Sequence, residues 1–208
     1  LIYKMERRPF WSISPFSSTK RNVATMYAKV QAWLGSLLSW GRRRQTSAAE
    51  NLYEEAVRLA RNPVFFDRYH VRDDVDGRFD MLSLILALIM RRLKSIGDPG
   101  KDCSQQLFDS MFADMDLSLR EMGAGDIGVS KRVRIMAEAF MGRLDSYVDA
   151  IDKSDKTAFS AALQRNLFRG DDKINPLKSG LVDTLLTLVE NLDGLDSDDL
   201  LKGKIDIA

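Results

Sequence analysis

The residues of this chain best equipped for chemistry are its aspartates. Asp73, Asp74, Asp76 and Asp80 form one group, and Asp109, Asp114, Asp116 and Asp126 form another. Two facing acidic clusters in a helical protein can hold Mg²⁺ on a diphosphate, as an isoprenoid enzyme does. The spacing points elsewhere. Asp73, Asp74 and Asp76 fall in a loop rather than on one helix face, and Asp109, Asp116 and Asp126 straddle a helix and a turn. Capping and ion pairing are the expected roles, with Asp116 one turn before Arg120 and Asp126 at a helix start. Nucleophilic chemistry is poorly supplied: Cys103 is the only cysteine and His70 the only histidine, in separate segments, and a reactive thiol needs a base beside it. A lone cysteine also forms no internal disulfide, which fits a reducing compartment. Gly123, Gly125 and Gly128 imitate a phosphate loop, but Asp126 sits among the amides that would face the anion, so a helix-ending turn explains them. The expectation is a protein that is not an enzyme, with no cofactor and no metal.

The elements that position these residues read as helices. From 107 to 122, Leu107, Phe108, Met111, Phe112, Met115, Leu119 and Met122 recur at steps of three and four; after the glycine turn, Val133, Met136, Ala137, Phe140, Leu144, Tyr147, Val148 and Ile151 do the same. Upstream, Ser47 and Glu50 stand in capping-box spacing before a helix from Ala48 to Arg61. An aromatic loop through Phe65, Phe66 and Tyr69 leads to an apolar helix that ends near Ser95. Its run from Met81 to Met90 falls well short of the roughly 20 residues that cross a bilayer, so it is expected at the centre of a bundle. Ser154 is expected to cap one further helix, and Asn175 with Pro176 to open another. No segment alternates with period two. The fold class is all-α, six or seven helices in a single compact domain.

Charge divides the chain unevenly. Residues 1–44 hold nine Lys or Arg against Glu6, a net of +8, which leaves −7 for the rest of a chain of formal charge +1. The expected organisation is a disordered leader at 1–22, a basic amphipathic helix at 23–44, a helical domain at 45–195 and an acidic flexible tail at 196–208. The 23–44 stripe carries Trp33, Leu37 and Trp40 and ends in Arg42, Arg43 and Arg44, a pattern suited to an anionic membrane surface or, alternatively, to docking on the protein's own core. A ribosome is the other acidic surface such an arm suits.

Two features of the 107–151 unit exceed what a helical hairpin requires. Lys131, Arg132 and Arg134 place positive charge at a helix N-terminus, against the helix dipole, where they pair internally or serve a partner. Ala139, Gly142, Ser146 and Ala150 form a small-residue face, and glycine inside a helix usually marks the close approach of another backbone, here either a neighbouring helix of the domain or a bound polypeptide helix.

Three strings then stand out: GRFDML at 77–82, FADMDLSLREMGAGDIGV at 112–129, and Lys131, Arg132, Ala139, Phe140, Gly142 and Arg143. Over about residues 48–170 the chain resembles the ubiquinol-cytochrome c chaperone family, assembly factors of the respiratory cytochrome bc1 complex, in its alphaproteobacterial form. The resemblance implies a helical, non-enzymatic chaperone that binds newly made cytochrome b, with a small partner protein in mitochondrial relatives. It also implies a place on the cytoplasmic face of the inner membrane, or on the matrix side in a mitochondrion, and no specific nucleic acid. The candidate client-binding residues are Asp116, Arg120, Glu121, Asp126, Lys131, Arg132, Ala139, Gly142, Arg143 and Ser146. The candidate membrane contacts are Trp33, Leu37, Trp40, Arg42, Arg43 and Arg44.

Overall fold

The apolar run at 81–90 forms the centre of the molecule. In a computed structural model, which describes residues 48–121, 126–171 and 173–205, every residue from Met81 to Met90 is buried. The expected basic helix at 23–44, the leader before it and the Ser47 cap lie outside the described residues. In chain order the helices are α1 (Ala48–Ala60), α2 (Pro63–Asp67), α3 (Val75–Lys94), α4 (Asp98–Glu121), α5 (Asp126–Asp152), α6 (Lys156–Asn166), α7 (Leu181–Asp193) and α8 (Ser197–Leu201). Six of these are eleven residues or longer, and no strand occurs among the described residues, so the all-α expectation holds.

α3 is apolar on all sides because α1, α4, α5 and α7 pack around it. Each neighbour turns a single stripe toward it. α1 offers Ala49, Leu52, Ala56 and Ala60, small enough to bring the two helices close; α4 offers Leu107, Met111 and Phe112; α5 offers Val133, Ala137, Phe140 and Tyr147. Phe108, Phe112 and Phe140 join α4 to α5 in one aromatic cluster, with ring centroids 4.6 to 6.1 Å apart. On α5 the buried stripe differs slightly from the periodic reading, leaving Met136, Leu144 and Val148 half-exposed.

Local chemistry moved three boundaries. The segment read as an aromatic loop contains α2, started by Pro63 and by the Asn62 side chain, which accepts from the Val64 amide. Its Phe65 and Tyr69 are buried, and the Tyr69 hydroxyl lies 2.6 Å from Thr184 Oγ1. Asp155, not Ser154, caps α6, because its carboxylate accepts from the Ala158 amide while Ser154 adopts a positive φ of 54°. Asn175 does cap a turn, accepting from the Leu177 and Lys178 amides, but the helix waits for Gly180, whose φ of 82° re-aims the chain into α7. Past residue 195 the structure continues in order: Asp196 caps α8, and Leu200 and Ile205 are buried.

The loop before α3 is one of the two tightest points among the described residues. The Asp74 side chain accepts from the Gly77 amide at 2.8 Å, and Arg72 pairs with the same carboxylate. Burial acts to raise the Asp74 pKa, but the Gly77 amide and the Arg72 guanidinium outweigh it and hold the carboxyl below its usual range. A Cβ on Gly77 would lie 2.0 Å from the Arg72 carbonyl oxygen, so any side chain there must displace backbone. Gly77→Ala is therefore expected to cost about 2–3 kcal/mol, at the upper end for overpacking. A urea unfolding series reads this as a lowered midpoint at unchanged slope.

Candidate functional site

Where the C-terminal half of α1, the start of α3, the end of α4 and the start of α5 converge, the bundle leaves an open cleft of about 850 Å³. Its apolar surface comes from Val57 and Ala60 of α1, Phe79 and Leu82 of α3, Met115 and Leu119 of α4, and Ile135 and Met136 of α5. The two methionines are only partly buried and can adapt their shape to an occupant. Val75, at the rim, is 68% exposed, the most exposed of the large apolar side chains. A cleft of this size and lining can take a small ligand or the apolar side chains of a docked segment.

Polar groups frame it. The Tyr53 hydroxyl donates to Asp114 at 2.7 Å. Burial and this carboxylate push the tyrosine pKa up, so the hydroxyl stays protonated as a donor. Arg61, just past α1, and Arg132, in the first turns of α5, also line the cleft. Neither is in an ion pair with any described residue.

Behind the cleft wall lies an ionic network. Asp80, 1% exposed, meets Arg143 Nη2 at 2.8 Å through one oxygen and Arg169 Nη2 at 3.1 Å through the other, while Arg169 Nη1 reaches Asp76 at 2.9 Å. The Arg143 guanidinium also stands over the Phe79 ring, 5.5 Å from its centroid. Burial pushes the Asp80 carboxyl above its usual range, and the two guanidiniums pull the other way. The network ties α3, α5 and the loop after α6 together, and Phe79, Asp76 and Arg169 present it to the cleft.

The residues anticipated from sequence scatter over this geometry. Arg132 lines the cleft. Asp116 and Arg120 pair with each other at 2.6 Å along α4, as their spacing suggested, and Glu121 ends that helix exposed. α5 begins at Asp126; Lys131 is exposed, and Arg134 pairs with Glu138 on its own helix. Arg143, a candidate for client binding, is instead buried in the Asp80 network. No described helix of this chain packs on Gly142, where a Cβ would meet nothing within 4 Å, so the neighbouring-helix alternative for that position is not met. Ala139 is half-exposed, and Ser146 accepts from Asn166 while donating to the Arg143 carbonyl. Ala150 is buried. Trp33, Leu37, Trp40, Arg42, Arg43 and Arg44 lie outside the described residues.

Sequence reasoning missed Tyr53, Val57, Arg61, Leu82 and Arg169 as cleft residues. Nothing local marks them, because the cleft exists only where four helix ends meet. Asp80 did carry a signal, a carboxylate one residue ahead of a ten-residue apolar run, since a buried charge requires a partner.

The acidic groups are engaged with arginines rather than gathered on a cation. Asp73 pairs with Arg78, Asp74 with Arg72, and Asp76 with Arg169. Among the described residues no group of three His, Cys, Asp or Glu could hold a metal ion. Cys103 is buried with its thiol pKa raised by that burial, the opposite of an activated nucleophile, and His70 is exposed. No described helix is long and apolar enough to cross a membrane.

Known proteins share this architecture. A family model described as ubiquinol-cytochrome C chaperone matches residues 67–207, extending beyond the 48–170 stretch whose strings suggested it. The chain is 27% identical over 154 residues to ubiquinol-cytochrome-c reductase complex assembly factor 1 of Xenopus laevis, over 74% of this chain and 76% of that protein. The crystal structure of the Cbp3 homolog from Brucella abortus matches with a TM-score of 0.69 at 30% identity, over 89% of this chain and 96% of that one.

Proposed function

Because the chain belongs to the ubiquinol-cytochrome c chaperone family, we propose that it is an assembly chaperone of the cytochrome bc1 complex, which holds newly made cytochrome b by binding and without catalysis. The observation that carries this reading is the cleft: about 850 Å³ with adaptable apolar walls, framed by polar groups. An unassembled membrane subunit exposes apolar helix surface that aggregates in water, and a chaperone must cover part of it reversibly. Half-buried methionines suit that task, because they repack around differing side chains without a rigid match.

The place of action we assign is the surface of the inner membrane where cytochrome b emerges, on the cytoplasmic face in a bacterium or the matrix face in a mitochondrion. The Arg42–Arg44 cluster and the tryptophans before it supply the attraction to anionic lipid. Affinity capture of the tagged full-length chain from cells, followed by protein identification, tests the reading. Cytochrome b should be recovered well above other membrane proteins of similar abundance. Recovery of no bc1 subunit would sink it.

A further inference from the structure

The cleft is electrically uneven, and the unevenness specifies what it accepts. Arg61 and Arg132 line it from different elements, and neither is in an ion pair with a described residue. Glu54 and the Tyr53–Asp114 pair line it too. Along α1, Glu54 and Arg61 are separated by two turns, about 10 Å of helix. The remaining charges at the rim are already matched, Arg78 by Asp73 and Asp76 by Arg169.

We infer that the cleft recognises an apolar helix carrying a carboxylate side chain, which Arg61 and Arg132 receive together while Val57, Leu82, Met115 and Met136 cover the apolar face. This rests on the proposal that a client segment occupies the cleft, and it adds the chemistry by which that segment is chosen and oriented. An acidic side chain on an otherwise apolar segment is costly to leave in a bilayer, so such a segment gains from a partner before its subunit is assembled. Two exposed guanidiniums supply charge-assisted hydrogen bonds to one carboxylate, which the docked helix shields from water. Glu54 and Asp114, also in the lining, disfavour a carboxylate placed beside them rather than at the arginines. The same arginines could meet a lipid phosphate, but a headgroup alone would leave the apolar walls of Val57, Leu82, Met115 and Met136 uncovered, so a discrete helix is the better fit.

The test uses the full chain and two amphipathic helical peptides of about 18 residues, long enough to hold several turns. They are identical except for one Glu or Gln on the apolar face. Titration at low salt should show the Glu peptide binding about tenfold more tightly than the Gln peptide, with the advantage shrinking as salt rises. In the Arg61→Ala/Arg132→Ala variant, whose exposed substitutions leave the core untouched, Glu should fall to the level of Gln while Gln is unchanged. In Arg61→Glu/Arg132→Glu, a Lys peptide should become the preferred ligand.

Equal affinity of the wild-type chain for Glu and Gln overturns the inference while leaving the cleft as a general apolar receptor. So does a Glu preference that survives both arginine substitutions. Binding of neither peptide, with binding only to phosphatidylglycerol vesicles that the double alanine variant abolishes, replaces the helix with a lipid headgroup. Binding of neither peptide nor vesicles also overturns the inference. Crosslinking of cytochrome b from inside the cleft separates that failure from failure of the client reading itself.

Discussion

Replacing Asp80 with alanine should destabilise the protein by about 3–5 kcal/mol, because it strands a buried guanidinium. The Arg143 side chain is only 7% exposed, and Asp80 is its ion-pair partner. Arg169, 22% exposed, would keep Asp76 and can turn toward the cleft, so most of the loss falls on Arg143. Urea unfolding reads the effect as a lowered midpoint. A companion variant decides the cause: Asp80→Leu with Arg143→Met replaces the pair by apolar groups of similar bulk, and should recover most of the lost stability. If the double variant is as unstable as Asp80→Ala, shape rather than stranded charge is responsible. The single variant should also weaken client capture, since Phe79 and Arg169 form the cleft wall that the network braces.

The second large effect concerns the cleft itself. Met136→Glu places a charge on the apolar surface at a half-exposed position, where it can reach water in the empty protein but not beneath a docked apolar helix. Stability should change by about 1 kcal/mol or less, as for most substitutions that leave the core intact. Capture of cytochrome b should fall tenfold or more, because docking would have to desolvate the carboxylate. Met136→Leu, apolar and of similar volume, should capture normally. Circular dichroism and unfolding midpoints of both variants, measured beside the capture assay, separate a blocked cleft from a damaged fold.

These effects involve parts of the protein that the sequence disclosed to different degrees. The helices were legible because their stripes are local: the 3.6-residue period of Leu52 and Ala56, or of Phe112 with Leu119, is set by which face must leave water. Boundaries were less so. Ser154 and Asp155 are both competent caps, and the choice depended on which of them could adopt a positive φ while its neighbour met the Ala158 amide. Of the candidate client-binding residues whose side chains are described, Arg132 alone lines the cleft.

Gly142 shows where local pattern stops. Its small-residue face reads as a contact without saying with what; in the structure Gly142 faces open space, while the far bulkier Phe140 and Tyr147 of the same helix are buried. Arg143 is the complementary case. It was a candidate for client binding, whereas it is buried against Asp80, 63 positions earlier, and no local pattern connects them. The GRFDML and Gly142–Arg143 strings, recognisable only as family signatures in the sequence, are in the structure two halves of one device: Gly77 allows the close turn, Phe79 underlies the Arg143 guanidinium, and Asp80 receives it.

The central claim is that cytochrome b lies in the cleft while this chain holds it. A photoreactive amino acid placed in the full-length chain at Met136, inside the cleft, and in a second version at Leu177, an apolar residue 45% exposed and away from it, tests this most directly. After irradiation in cells, the account predicts a cytochrome b adduct from position 136 and little or none from position 177. Adducts of equal yield at both positions, or from 177 alone, would contradict it.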